Sequence, residues 1–228
     1  MPLYRCPLCR GLETPLFHRE DRPRVHFRDY HRCLQCDLTF VPPPYHLCAT
    51  QERAYYDLHQ NQGTDEGYQR FLGRMLTPLL ARVNPGAAGL DFGCGTGQVL
   101  VGMCRRAGLS CVGYDLHYHP DPAPLAQQYD FIVSTEVFEH LADPAGVLEH
   151  LLTLLKPGGW LGIMTKRALD RQRFARWHYT LDPTHVCFFS EQTFRWIAAR
   201  RGMTLEVVGN DVVMLRKPDL APYSAKQT

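Results

Sequence analysis

Gly89-Leu90-Asp91-Phe92-Gly93-Cys94-Gly95-Thr96-Gly97 decides how this chain folds. A Pro85-Gly86 turn signal precedes it, and Gln98 to Ala107 then carry Val99, Leu100, Met103 and Ala107 at helical spacing up to Gly108. The order is strand, glycine loop, helix. Glycines at alternate positions let the backbone turn tightly and approach a ligand closely, and the helix start offers free amide donors. Ser110 to Asp115 follow as a second strand ending in an acid, the position that meets a ribose diol in a doubly wound sheet. The spacing is Asp-x-Gly-x-Gly-x-Gly. A dinucleotide-binding loop normally reads G-x-G-x-x-G, with its third glycine inside the helix.

Downstream the same alternation continues. Tyr129 to Ser134 read as a buried strand, and Asp143-Pro144 cap a helix bearing Val147, Leu148, Leu151, Leu152 and Leu155. Lys156-Pro157-Gly158-Gly159 end that helix and lead into a strand from Trp160 to Thr165. Ser190 caps a helix with Phe194 and Ile197 inward, stopped near Gly202. Thr204 to Val208 and Val212 to Leu215, joined by Gly209-Asn210-Asp211, form a closing β-hairpin. Upstream, residues 64–83 look helical, with Tyr68, Phe71, Leu72, Met75 and Leu79 on one stripe and Pro78 producing a kink or break; this helix is placed to cover the cleft.

In these residues the chain resembles the class I S-adenosylmethionine-dependent methyltransferase superfamily, over roughly Tyr68 to Lys217. The resemblance implies an α/β fold, a doubly wound, mostly parallel Rossmann-like sheet closed by an antiparallel hairpin. It places Asp91, Gly93, Cys94, Gly95 and Gly97 around the cofactor, with Asp115 on the ribose hydroxyls and Glu136 beside them. One departure stands out. Only Leu116 to Gln128, with Pro120, Pro122 and Pro124, link the second strand to the next, so the motif that normally contacts adenine is reduced and the sheet edge shortened.

Glu136-Val137-Phe138-Glu139-His140 follow the strand at 129–134. On one helical turn both carboxylates and the imidazole share a face, a hard oxygen and nitrogen set suited to magnesium, manganese or a similar cation. Asp182-Pro183-Thr184-His185 can return a second histidine. This E-x-x-E-H element is similar to that of small-RNA 2′-O-methyltransferases, and its first part to that of ubiquinone-pathway O-methyltransferases. The resemblance implies Glu136, Glu139, His140 and His185 as ligands of a divalent metal that orients a substrate hydroxyl. A second role stays open, in which the acids complement a helix N-terminus, His140 packs, and His185 or His140 serves as general base.

Cys6-Pro7-Leu8-Cys9 and Cys33-Leu34-Gln35-Cys36 present four thiolates on two tight turns, the tetrahedral set of structural zinc. Val25, Phe27 and Tyr30 suggest a short strand or hairpin between them, and the arginines and acids of residues 10–32 a solvated mixed surface. The expected organisation is a zinc-ribbon-like module at 1–45 ending on stiff Pro42-Pro43-Pro44, a linker at 46–63, a transferase unit at 64–217 and a tail at 218–228. The other cysteines, Cys48, Cys94, Cys104, Cys111 and Cys187, lack ligand spacing and read as small apolar residues.

The chain has 228 residues and a formal charge of +2, too small to announce nucleic-acid binding by itself. It shows neither a membrane-spanning run nor an export signal, so a cytoplasmic protein is expected. Lys166, Arg167, Arg171, Arg173 and Arg176, opposed only by Asp170, precede Trp177, His178 and Tyr179. That rim suits an anionic acceptor with a ring, and reads equally as a solvated charge run. The expected acceptor is a hydroxylated or anionic small molecule; an RNA acceptor gripped by the zinc module, and a non-catalytic zinc-binding adaptor, are the alternatives.

Overall fold

The computed structural model describes residues 4–25, 27–57 and 65–219. Part of the expected linker, the first residue of the expected helix at 64–83 and most of the tail lie outside them. The main sheet has six strands: β4 (Ala88–Phe92), β5 (Ser110–Tyr114), β6 (Tyr129–Thr135), β7 (Leu155–Met164), β9 (Thr204–Val208) and β10 (Val212–Arg216). Their order is β5-β4-β6-β7-β10-β9; the first four run parallel, and β10 pairs antiparallel with both β7 and β9. Because the short Leu116–Gln128 link holds only a 3-10 turn at Ala123–Ala126, β5 is the edge strand.

Helices α2 (Glu66–Leu80) and α3 (Val99–Arg106) cover one face. Leu72, Met75 and Leu79 of α2 and Leu100 and Cys104 of α3 pack there with Phe131, Val133 and Met214. Asp65 caps α2 by accepting from the amides of Gly67 and Tyr68. The helix continues to Leu80 past the buried Pro78 instead of breaking there, since the proline sits in its last turn, where few bonds remain to lose. The opposite face takes α4 (Pro144–Leu154), capped by Asp143, and α6 (Glu191–Arg201), capped by Ser190 and ended by left-handed Gly202. Their Leu148, Leu151, Phe194 and Ile197 share a core with the N-terminal segment.

That segment is joined to the rest by a sheet. Strands β1 (Leu16–Arg19), β2 (Asp29–Arg32) and β3 (Thr39–Phe40) continue into β8 (Cys187–Phe188) through antiparallel pairing of Thr39 with Phe188 and Phe40 with Cys187. The Val41 amide adds a bond to the Val186 carbonyl. Tyr30, Leu38 and Phe40 therefore lie in one apolar cluster with Phe174, Phe188 and Phe189. Helix α1 (Ala49–Tyr56) occupies part of the stretch expected as linker, and the short α5 (Arg171–Ala175) lies against β1.

The expected hairpin between the cysteine pairs is present with Tyr30 in it, but two details of this segment differ. The hairpin is built from residues 16–19 and 29–32, while Val25 sits in a 3-10 turn and Phe27 is exposed with φ +54°. The charges are not all solvated: Arg28 and Glu20 are buried, because backbone carbonyls and Arg22 respectively satisfy them. Among the described residues no helix is long and apolar enough to cross a membrane.

Candidate functional site

The four cysteines of the N-terminal segment converge. Their sulfurs lie within 4.8 Å of one another, with Cys6 to Cys36 at 3.5 Å and Cys9 to Cys33 at 3.3 Å. A zinc ion with bonds of about 2.3 Å needs sulfurs about 3.8 Å apart, so the cluster fits that ion. Each C-x-x-C turn is closed by a residue in left-handed backbone, Arg10 at φ +64° and Asp37 at φ +60°. A hydrogen bond from Cys36 pulls Cys6 down to about 6, whereas burial pushes Cys9 up to about 12. Of the other cysteines, Cys104, Cys111 and Cys187 are buried as expected, but Cys48 is exposed and Cys94 is half-buried on the cavity wall.

A cavity of about 730 Å³ opens at the C-terminal ends of β4, β5 and β6, the usual place for a ligand in such a sheet. The glycine loop forms one wall. Gly93 turns at φ +81°, and a Cβ there would lie 2.3 Å from Val137 Cγ2. The Gly93 and Cys94 amides bond the Tyr114 carbonyl at 2.8 and 3.1 Å, tying the loop to the end of β5. Asp91 is wholly buried in the middle of the sheet, and neither carboxylate oxygen has a partner. Burial, with Asp115 adding, pushes its carboxyl up to about 7.

Asp115 is held differently. Its Oδ2 accepts from the Gly95 amide at 3.0 Å, and its Oδ1 from the His117 and Tyr118 amides at 2.9 and 3.1 Å. The predicted Asp91, Gly93, Cys94, Gly95, Gly97, Asp115 and Glu136 all line this one cavity. The orphaned Asp91 carboxylate and the tight Gly93 turn suit a ligand with a cationic or hydroxylated part, as S-adenosylmethionine has. The reduced link contributes Leu116, His117 and Tyr118 to the wall, and α1 contributes Glu52 and Tyr56.

At the other end of the cavity the E-x-x-E-H residues are only partly a single helical turn. Glu136 follows the last residue of β6 in left-handed backbone, φ +54°, with its amide bonded to Met164 O, and a 3-10 turn at Phe138–His140 comes next. Glu139, His140 and His185 bring ligand atoms within 4.8 Å of one another; Glu136 stands outside that group. The Val186 amide donates to the Glu139 carbonyl at 2.8 Å, and this bond brings the two segments together.

His185 Nδ1 lies 2.8 Å from Tyr179 O, and His140 Nδ1 lies 3.3 Å from Thr184 O. A carbonyl only accepts, so both Nδ1 atoms carry the proton; among the described residues neither Nε2 has a hydrogen-bond partner, that of His185 facing Asp182 Oδ2 at 3.8 Å, and both can bind a cation or accept a proton. Burial, then His140, lowers His185 to about 4. Glu139 is fully buried, and its Oε2 lacks a partner. Tyr179, read from sequence only as part of an aromatic rim, donates to Glu139 and lies 3.4 Å from Glu136 Oε2. Burial, then Glu139, pushes Glu136 up to about 8. The lone sequence signal for Tyr179 was its place shortly before His185.

Residues 64–208 match a family model described as a methyltransferase domain. The chain belongs to this methyltransferase domain family. It is 33% identical over 100 residues to the ubiquinone biosynthesis O-methyltransferase of Aeromonas salmonicida, spanning 41% of this chain and 39% of that one. It is also 34% identical over 95 residues to the corresponding protein of Acinetobacter baylyi, spanning 31% and 40%. The match thus spans about two fifths of the length of these relatives. Among solved structures, it is similar in fold to the 1,6-didemethyltoxoflavin-N1-methyltransferase of Burkholderia thailandensis, with TM-score 0.52, 20% identity, and 82% and 99% of the two chains covered.

Proposed function

We propose that this chain is an S-adenosylmethionine-dependent methyltransferase acting on a hydroxyl of a small, uncharged acceptor, with a divalent cation held by Glu139, His140 and His185. In this reading residues 1–45 form a module around structural zinc bound by Cys6, Cys9, Cys33 and Cys36, and residues 64–217 the transferase unit. The carrying observation is that two imidazoles with free Nε2 atoms and a buried, half-satisfied carboxylate converge in the cavity whose other end holds the unpartnered Asp91 carboxylate.

When bound, S-adenosylmethionine supplies a methyl group on a sulfonium, and a divalent cation would lower the pKa of a hydroxyl beside it. The chain's own residues set the geometry. Asp91 and Asp115 take the cofactor's charged and hydroxylated parts at the glycine loop. Glu139, His140 and His185 would hold the cation, with Tyr179 and the two backbone carbonyls fixing their orientation. Glu136, raised toward neutrality by its burial, is placed to exchange a proton near the reacting centre. Sequestering both ends in one cavity aligns acceptor and donor for in-line transfer.

The lining favours a small uncharged acceptor over an anionic one. It includes Glu52, Glu136, Glu139 and Asp182, and among the described residues no lysine or arginine. Within the N-terminal segment, Arg10 pairs with Asp143, Arg19 with Asp29 and Arg22 with Glu20, and Arg28 is buried, which weakens the case for that segment as a nucleic-acid grip. A labelled methyl-transfer screen over catechols, other polyols and RNA, with and without a chelator, tests the proposal. Chelator-sensitive labelling of a vicinal diol or catechol is expected. Labelling of RNA alone, or transfer indifferent to chelator and to His185→Ala, would overturn it.

A further inference from the structure

Arg28 belongs to the N-terminal segment, yet its side chain serves the loop that carries Tyr179 and His185. It is 1% exposed. Its Nη1 donates to Pro183 O at 2.9 Å, and its Nη2 to Thr180 O and Asp182 O at 3.0 and 2.9 Å. Its Nε donates to the Tyr30 hydroxyl at 2.8 Å, and that hydroxyl donates in turn to Thr180 O at 3.0 Å. Carbonyls from three residues of one short loop are thus gathered on a single guanidinium.

A buried guanidinium gives up its hydration, and here backbone dipoles and a phenol replace it instead of a carboxylate. The fork geometry of arginine lets one group hold several carbonyls at fixed angles, which a lysine ammonium does not do. The wrapped loop runs between Tyr179, which lies behind the cavity wall against Glu139, and His185, which lines the cavity. Tyr179 precedes it and donates to Glu139, while His185 follows it and bonds back to the Tyr179 carbonyl. Without Arg28 the buried Pro183 carbonyl would lose its donor, Thr180 O would keep only Tyr30 and Asp182 O only the His185 amide, so the loop would shift to find replacements.

We infer that Arg28 is a positioning residue that sets the orientation of Tyr179 and His185, so that the N-terminal segment governs the reacting end of the cavity. The β3–β8 pairing brings the two parts together, but it lies on the far side of His185; on the 180–183 loop the N-terminal segment acts through Arg28 and Tyr30 on the carbonyls and through Arg22 on the Thr180 hydroxyl. The effect on turnover rests on the function proposed above; the effect on His185 does not.

The test is long-range 1H–15N spectroscopy of the 15N-labelled full chain, paired with S-adenosylmethionine titration and thermal melting. In the wild type His185 should show a single Nδ1–H tautomer. In Arg28→Met that signature should be lost or averaged, and methyl-transfer turnover should fall about tenfold or more, while cofactor affinity changes less than about threefold, because a small displacement at a reacting centre costs rate before it costs remote binding. Arg28→Lys should fall between the two, and it decides the question if Arg28→Met does not fold. A fixed His185 tautomer in whichever variant folds would overturn the inference. A lost tautomer with unchanged turnover would leave Arg28 as positioning residue and overturn His185's role in the reaction instead.

Discussion

His140 and His185 meet edge to face with ring centroids 4.7 Å apart, each with Nδ1 turned to a backbone carbonyl and Nε2 left free. A buried imidazole and its half-buried neighbour repel when protonated, and His140 contributes to the lowering of His185. The arrangement therefore keeps two lone pairs available beside Glu139. His185→Ala and Glu139→Gln should each weaken Mn2+ binding by about 10- to 100-fold or more, read by electron paramagnetic resonance, with cofactor affinity retained. Equal Mn2+ affinity in both variants would remove the metal from the account.

Asp91 should make the cofactor-free protein pH-sensitive. Its carboxyl titrates near 7 when folded against an ordinary 3.8, so between those values the folded state holds a proton that the unfolded state lacks. Stability from this group falls as pH rises from about 4 to about 7 and levels off above. Asp91→Asn removes the penalty. Its melting temperature at pH 8 should rise by several degrees without cofactor, while S-adenosylmethionine affinity falls at least about tenfold. A variant that melts lower and binds as the wild type does would show that Asp91 is a core residue only.

Gly93 carries two constraints at once, a left-handed backbone and the approach of Val137. Gly93→Ala should cost about 2 kcal/mol or more in denaturant titration and lower cofactor affinity. Adding Val137→Ala should relieve the clash but not the backbone cost, so recovery should be partial. Full recovery would show that the left-handed turn is unimportant.

Because the cysteine cluster shares its core with β8 and α6, loss of the zinc proposed for it should be felt at a distance. Cys33→Ser should purify with about one equivalent less zinc by elemental analysis and melt several degrees lower. Unchanged metal content would refute the zinc assignment.

Much of the fold was legible because its signals are local. The glycine loop, the Ser190 and Asp143 caps and the closing hairpin each depend on residues a few positions apart, and the structure places them where periodicity does. What was hidden depends on distant partners. Nothing near Arg28 in sequence reveals three carbonyls some 150 residues away, and a cation among acids reads as solvated surface. The pairing of β3 with the two-residue β8 is likewise too short to show as a strand pattern. At the site, helical spacing grouped Glu136 with Glu139 and His140, but the strand end forces Glu136 into left-handed backbone and turns it out of the group.

Calorimetric titration of the purified chain with S-adenosylmethionine tests the central claim most directly. Saturable binding of a single molecule per chain is expected, abolished or strongly weakened in Asp91→Asn and kept in His185→Ala. Absence of binding at millimolar cofactor, or binding indifferent to Asp91, would contradict it.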